Sequence, residues 1–170
     1  MNESRAFYTR NKDARPNSTG ITAIVYYSEH HGNTKKVLDA IKESDSSIEL
    51  IDVTDKHEVD LNGYDRIGAA SGIYFGKFAE KVQTFLKINL PTGKDVFFIA
   101  TAGNPIEHNF NSVSEVIRSK HCNEIGRFQC KGFDTFGPLK LVGGLQKGHP
   151  DDNELNEAVE FYRGLPTGRK

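Results

Sequence analysis

From residue 21 onward, apolar positions alternate between two rhythms. Ile21-Thr22-Ala23-Ile24-Val25-Tyr26-Tyr27 is a short, nearly unbroken β-prone run, the pattern of a strand covered on both faces. Asn33 to Glu43 then sets Val37, Leu38 and Ile41 at helical spacing with lysines opposite. Strands are predicted next over Ser47–Val53 and Asp65–Ser71, the latter rich in small residues that let a helix pack closely. A helix over Phe78–Ile88 carries Phe78, Val82, Phe85 and Leu86 on one stripe, and Lys94–Thr101 is the strongest strand pattern in the chain. A helix over Asn109–Lys120, a fifth strand over Gly126–Phe133 and a helix over Asp151–Arg163, capped by Asp151 or Asp152, complete the series.

Strand and helix alternate, so the expected fold is an α/β three-layer sandwich on a parallel sheet. Only the connection between the second and third strands is too short and too charged for a full helix. The expected organisation is a leader over residues 1–20, one domain over 21–165 and a short tail over 166–170. The leader is polar, nearly pattern-free and closed by Pro16-Asn17-Ser18-Thr19-Gly20, which reads as a mobile segment or as a tag remnant or misjudged start. It carries Glu3 and Asp13 and no apolar stretch, unlike a signal or transit peptide, which predicts a cytoplasmic protein.

Composition narrows the function classes. With 22 basic against 23 acidic residues, the chain lacks the excess charge of a nucleic-acid binder. No apolar run approaches the ~20 residues of a membrane span. Cys122 and Cys130 have neither disulfide-framework nor zinc spacing, and Cys130, mid-strand, reads as a buried, inert thiol. His30, His31 and His108 match no metal-ligand spacing, so no metal is expected; His57, His121 and His149 read as surface residues, and Lys77 and Lys140 as solvated charges.

In an open parallel sheet ligands bind past the carboxyl ends of the strands, where strand order reverses. Three segments stand there. Ser28-Glu29-His30-His31-Gly32-Asn33-Thr34 runs into a helix and offers hydroxyls and free amides to a phosphate, or is simply a cap. Ser71-Gly72-Ile73-Tyr74-Phe75-Gly76-Lys77 brackets two aromatics with glycines, suited to a flat ligand or to a tight turn whose rings join the core. Thr101-Ala102-Gly103-Asn104-Pro105 is small and rich in available backbone. Neither GxxxxGK[ST] nor GxGxxG occurs, so the phosphate expected is a monoester rather than that of a triphosphate or dinucleotide.

Tyr26-Tyr27-Ser28 followed by Gly32-Asn33-Thr34, with SGIYFGKF, TAGNP and CKGFDTFGPLKLVGG downstream, resembles the flavodoxins and flavodoxin-like FMN proteins over roughly residues 21–164. The resemblance implies a five-stranded parallel sheet in the order 2-1-3-4-5 and non-covalent FMN. It implies that Ser28, His30, His31, Gly32, Asn33 and Thr34 hold the phosphate. Ser71, Gly72, Ile73, Tyr74, Phe75 and Gly76 would lie along one side of the isoalloxazine, and Thr101, Ala102, Gly103 and Asn104 along the other. The departures are His30 and His31 where small hydroxyl residues are common, one extra residue in the loop, no tryptophan and a near-neutral charge.

No side chain need act as catalyst, because the flavin carries the electrons. The expected function is electron transfer with a redox partner protein; the alternative is an NAD(P)H-dependent reductase of quinones or other small acceptors, and a third reading is a fold that has lost its cofactor. The stretch from Asp134 to His149 is too long for an ordinary connection, and it holds Phe136, Leu139, Leu141, Val142 and Leu145. It is expected to pack beside the flavin near Tyr74 and Phe75, contributing Phe136, or to bury in a homodimer interface.

Overall fold

The structure is a computed structural model and describes residues 7–10, 21–134 and 137–167. Five parallel strands form the sheet: β2 (Thr22–Tyr27), β3 (Glu49–Asp52), β4 (Arg66–Tyr74), β6 (Asp95–Ala102) and β7 (Asn123–Lys131). They lie in the spatial order β3-β2-β4-β6-β7, the predicted 2-1-3-4-5 when the parallel strands alone are counted.

Two strands were not foreseen. β1 (Phe7–Arg10) pairs antiparallel with β7, in register Phe7 with Gln129 through Arg10 with Gly126. The expectation of a leader without structure is therefore corrected at these four residues. β7 would otherwise present a bare row of amides and carbonyls, which a short β-prone segment can satisfy. β5 (Lys77–Phe78) folds back on β4, pairing Ile73 with Phe78 and Tyr74 with Lys77. The third predicted strand thus runs three residues past Ser71 and ends in a hairpin at Phe75 and Gly76, both at positive φ (51° and 73°). β7 in turn begins at Asn123 and ends at Lys131, two residues short of the predicted Phe133.

Helices cover both faces. α1 (Asn33–Ser44) and α4 (Asp152–Arg163) bury Val37, Leu38, Ile41, Ala158, Phe161 and Tyr162 against Ile24, Phe97, Ile99 and Phe128. On the other face α2 (Glu80–Asn89) and α3 (Asn111–Ser119) bury Val82, Phe85, Leu86, Val113 and Ile117 against Ala23, Val25, Ala69 and Phe98. Neighbouring residues of β2 go to opposite cores, so the run reads as continuous rather than alternating. Gly68 of β4 makes room for Phe97: a Cβ there would stand 2.5 Å from the ring. α4 starts on a capping box, with Asp151 accepting from the Glu154 amide and Glu154 accepting from that of Asp151. Among the described residues no helix is long and apolar enough to cross a membrane.

Candidate functional site

The strand order reverses between β2 and β4, and the crevice opens beyond their carboxyl ends and that of β6. A cleft of about 620 Å³, its open mouth included, lies there. Its walls are Glu29, Asn33 and Thr34 after β2; Gly72, Ile73, Tyr74 and Phe75 at the end of β4; Thr101, Ala102 and Gly103 at the end of β6; and Gly132, Phe133 and Asp134 after β7.

The first wall is built on the amino end of α1. Gly32 occupies the N-cap position in the left-handed conformation (φ 65°), and His31 before it shares that φ. Gly32 has no side chain with which to cap the helix and the first turn holds no carboxylate, so the amides ahead of Lys35 face an end suited to an anion. Ser28 accepts from the Lys35 amide at 3.2 Å, bending the loop back onto the first turn. Thr34 is buried, and its hydroxyl meets that of Thr101 at 2.9 Å, tying α1 to β6. Asn33 donates from Nδ2 to the carbonyl of Phe133 at 2.8 Å, tying it also to the segment after β7.

The second wall is aromatic. A Cβ at Gly72 would stand 3.3 Å from the Tyr74 hydroxyl, so the missing side chain lets the Tyr74 ring lie back along its own strand. Burial pushes the Tyr74 phenol pKa up, and the charges of Glu29 and Asp134 push it further. The Tyr27 and Tyr74 rings lie 6.4 Å apart. Tyr27 donates its hydroxyl to the Glu29 carboxylate, which raises its own pKa to about 12. A raised pKa means the neutral phenol is the form the fold favours, an advantage present below pH ~10 and lost as pH climbs through the folded value. The difference in tyrosinate absorbance between the protein and Tyr27→Phe should therefore appear only near pH 12. A midpoint near 10 would show that the Glu29 contact does not persist in solution.

The third wall is tight backbone. A Cβ at Gly103 would come within 3.1 Å of Asp134 Oδ2 and 3.2 Å of Leu145 Cδ2, and one at Gly132 within 3.0 Å of Asn33 Nδ2. Asp134 and Leu145 exchange backbone hydrogen bonds of 2.8 and 2.6 Å, and Gln146 donates to the Gly103 carbonyl at 3.3 Å. Over its described residues, the stretch after β7 packs against the Gly103 side of the cleft, and Asp134 shares the cleft wall with Tyr74 and Phe75. Phe136 lies outside the described residues.

Of the sixteen residues singled out from sequence, Asn33, Thr34, Gly72, Ile73, Tyr74, Phe75, Thr101, Ala102 and Gly103 line the cleft. Ser28 and Gly32 shape the loop behind it. His31 turns aside to stack on Phe133, ring centroids 4.4 Å apart, and the side chain of His30 lies outside the described set. Ser71 is buried and uses its hydroxyl to accept from the Ala79 amide, starting α2. Gly76 sits in the hairpin turn, and Asn104 accepts through its carbonyl from Asn109. Glu29, Gly132, Phe133 and Asp134 complete the wall and were not among those residues. Glu29 was passed over as one acidic residue in a phosphate loop, Gly132 and Phe133 because the fifth strand was extended through them, and Asp134 because it opened the connection that follows.

Residues 24–137 match the family model of the flavodoxin domain. An uncharacterised protein of Methanocaldococcus jannaschii is 37% identical over 145 residues, which are 84% of this chain and 95% of that one. Among solved structures, an archaeal flavodoxin superposes with a TM-score of 0.53 at 20% identity, over 82% of this chain and 92% of its own. A Lactobacillus acidophilus flavoprotein in complex with FMN gives 0.54 at 21%, over 66% and 94%. A Fusobacterium nucleatum flavodoxin variant bound to flavin mononucleotide gives 0.59 at 14%, over 84% and 94%.

Proposed function

Since the chain belongs to the flavodoxin family, we propose that its cleft binds FMN non-covalently and that the protein serves as an electron carrier. One observation carries this reading: three loops converge on one cleft that is an anion seat at one end and aromatic and backbone-lined at the other. The amino end of α1, with Gly32 left-handed before it and no carboxylate in its first turn, suits a phosphate dianion. Tyr74 and Phe75 offer rings to a planar heterocycle, and Gly72, Gly103 and Gly132 put main chain in the walls around it.

In this reading the amides of Asn33 and Thr34 hold the phosphate, while Ser28 and the Thr34–Thr101 pair fix the loop that presents them. Tyr74 excludes water from one face of the ring. Glu29 and Asp134 stand in the wall as carboxylates, which disfavour extra negative charge on whatever the cleft holds. Bound flavin would supply the electron storage that no side chain of this chain provides.

The purified protein is expected to be yellow, or to become so with added FMN, and to release FMN rather than FAD on denaturation. A colourless protein that ignores FMN would overturn the reading. Rapid bleaching of the flavin by NADPH alone would replace the carrier with a nicotinamide-dependent reductase.

A further inference from the structure

Three successive carbonyls at the end of β6 are each held by a different group. That of Ala102 accepts from the Gly132 amide at 3.0 Å, that of Gly103 from Gln146 Nε2 at 3.3 Å and that of Asn104 from Asn109 Nδ2 at 3.1 Å. Asn109 stands on the short helical turn Glu107–Phe110, and its Nδ2 also donates to Gln129 Oε1 at 3.1 Å. A peptide's carbonyl and amide point in opposite directions, so holding the first two carbonyls also fixes where the amides of Gly103 and Asn104 point.

Two of these contacts work against stability. Asn109 and Gln129 are 2% and 0% exposed, and Gln129 Nε2 has no hydrogen-bond partner among the described residues. A buried amide donor left unpaired is destabilising, and apolar side chains of the same shape would serve the core at least as well. Gln146 is held at φ 59°, in the left-handed region that a glycine occupies more readily. Unpaired polarity and backbone strain gathered around one loop point to a task for that loop. Asn109, Gln129 and Gln146 are not in the cleft wall, whereas Ala102 and Gly103 are.

Resting on the flavin reading above, we propose that these three amide side chains are positioning residues for the ring end of the cleft. Gln146 holds the Gly103-Asn104 turn from the segment after β7, and Asn109, braced by Gln129, holds it from the buried side. The turn then meets an incoming isoalloxazine already in its bound shape. A loop ordered beforehand loses less freedom when the ligand arrives, so the gain is affinity at the ring rather than at the phosphate.

Gln129→Met separates this role from packing, because it nearly keeps the volume while removing both the brace and the unpaired donor. Titrated with FMN and with riboflavin, the full-length variant should lose the same factor for both, about fivefold to tenfold, at an unchanged or raised urea midpoint. Equal loss marks the ring end, since riboflavin lacks the phosphate. Gln129→Glu keeps an acceptor for Asn109 and should keep the affinity even as burial of its carboxyl lowers the midpoint. Gln146→Gly removes the other hold and should repeat the Gln129→Met loss. In the flavin-free variants that lose a hold, amide ¹⁵N order parameters at Gly103 and Asn104 should fall from about 0.85 towards about 0.6.

Affinities and order parameters equal to the parent's in Gln129→Met would overturn the proposal. So would affinity that simply follows the urea midpoint through all three variants, which is what a packing role alone gives. A turn that loosens in a protein binding neither flavin defeats the flavin reading and leaves the clamp standing. A parent that binds both flavins, with variants that bind them equally well, defeats the clamp alone.

Discussion

Replacing Arg66 with Ala should cost about 3 kcal/mol or more of folding stability. Arg66 opens β4 and is only 5% exposed. Its guanidinium donates to Thr22 Oγ1 at 3.0 Å, to the Tyr162 hydroxyl at 2.9 Å and to the Pro166 carbonyl at 3.2 Å, and it lies 5.0 Å from the Tyr162 ring centroid. One side chain thus joins β2, β4, α4 and the segment after α4. Truncation removes several charge-assisted bonds at once and opens a hole beneath Tyr162. Arg66→Lys should recover part of the loss, because it restores the charge but not the fork.

Urea titration of the variants measures this directly, and a loss below about 1 kcal/mol would refute it. The acid side of the stability curve offers a second check. Asp45, which accepts from Tyr162 at 3.1 Å, has its pKa lowered first by the Ser47 hydroxyl, with Arg66 the smallest of the contributions. A lowered carboxyl pKa stabilises the fold above the unfolded value and loses that contribution as pH falls through the folded one. Arg66→Ala should lower the whole curve while leaving that acid limb nearly in place.

Gly32→Val should weaken FMN by about a hundredfold to ten-thousandfold while riboflavin, which lacks the phosphate, binds as before. A Cβ at Gly32 meets nothing within 4 Å, so the expected effect is one of backbone conformation alone. A β-branched residue is strongly disfavoured at φ 65°, and relaxing it would swing the first amides of α1 out of convergence. Two charge-assisted bonds of about 1.5–3 kcal/mol each give that range. Gly32→Asn, which tolerates the left-handed region, should keep most of the affinity. If Gly32→Val binds FMN within about tenfold of the parent, the amino end of α1 is not the phosphate seat.

The sheet was legible because the central parallel strands β2, β4 and β6 are buried on both faces over most of their length and each helix shows one apolar stripe. Val25, Ala69 and Phe98 go to one core, and their neighbours Ile24, Gly68 and Phe97 to the other. The edge strand at Phe7–Arg10 was not legible, because what stabilises it is the open side of β7, a partner more than a hundred residues away. β5 was missed for a similar reason: Lys77-Phe78 is too short to carry a period, and its hairpin depends on positive φ at Phe75 and Gly76. The three loops of the site could be found from small and glycine residues at strand ends. Which way each side chain turns could not, since it is decided across the fold: Thr34 by Thr101, His31 by Phe133, and Asn33 by the carbonyl of Phe133.

Glu154 has an effect that reaches beyond starting α4. It is 3% exposed, and its two oxygens accept from the Lys131 and Asp151 amides while it meets His149 Nδ1 at 2.6 Å. The end of β7 and the return into α4 are therefore fastened to one carboxylate, and Asp134 and Leu145 close a second clasp inside it. Chain held between two clasps can change length at little thermodynamic cost, about 0.6 kcal/mol for each doubling of a flexible loop. Insertions and replacements between Asp134 and Leu145 should be heritable without disturbing the sheet, so this is where the lineage could acquire new partners while keeping its old chemistry.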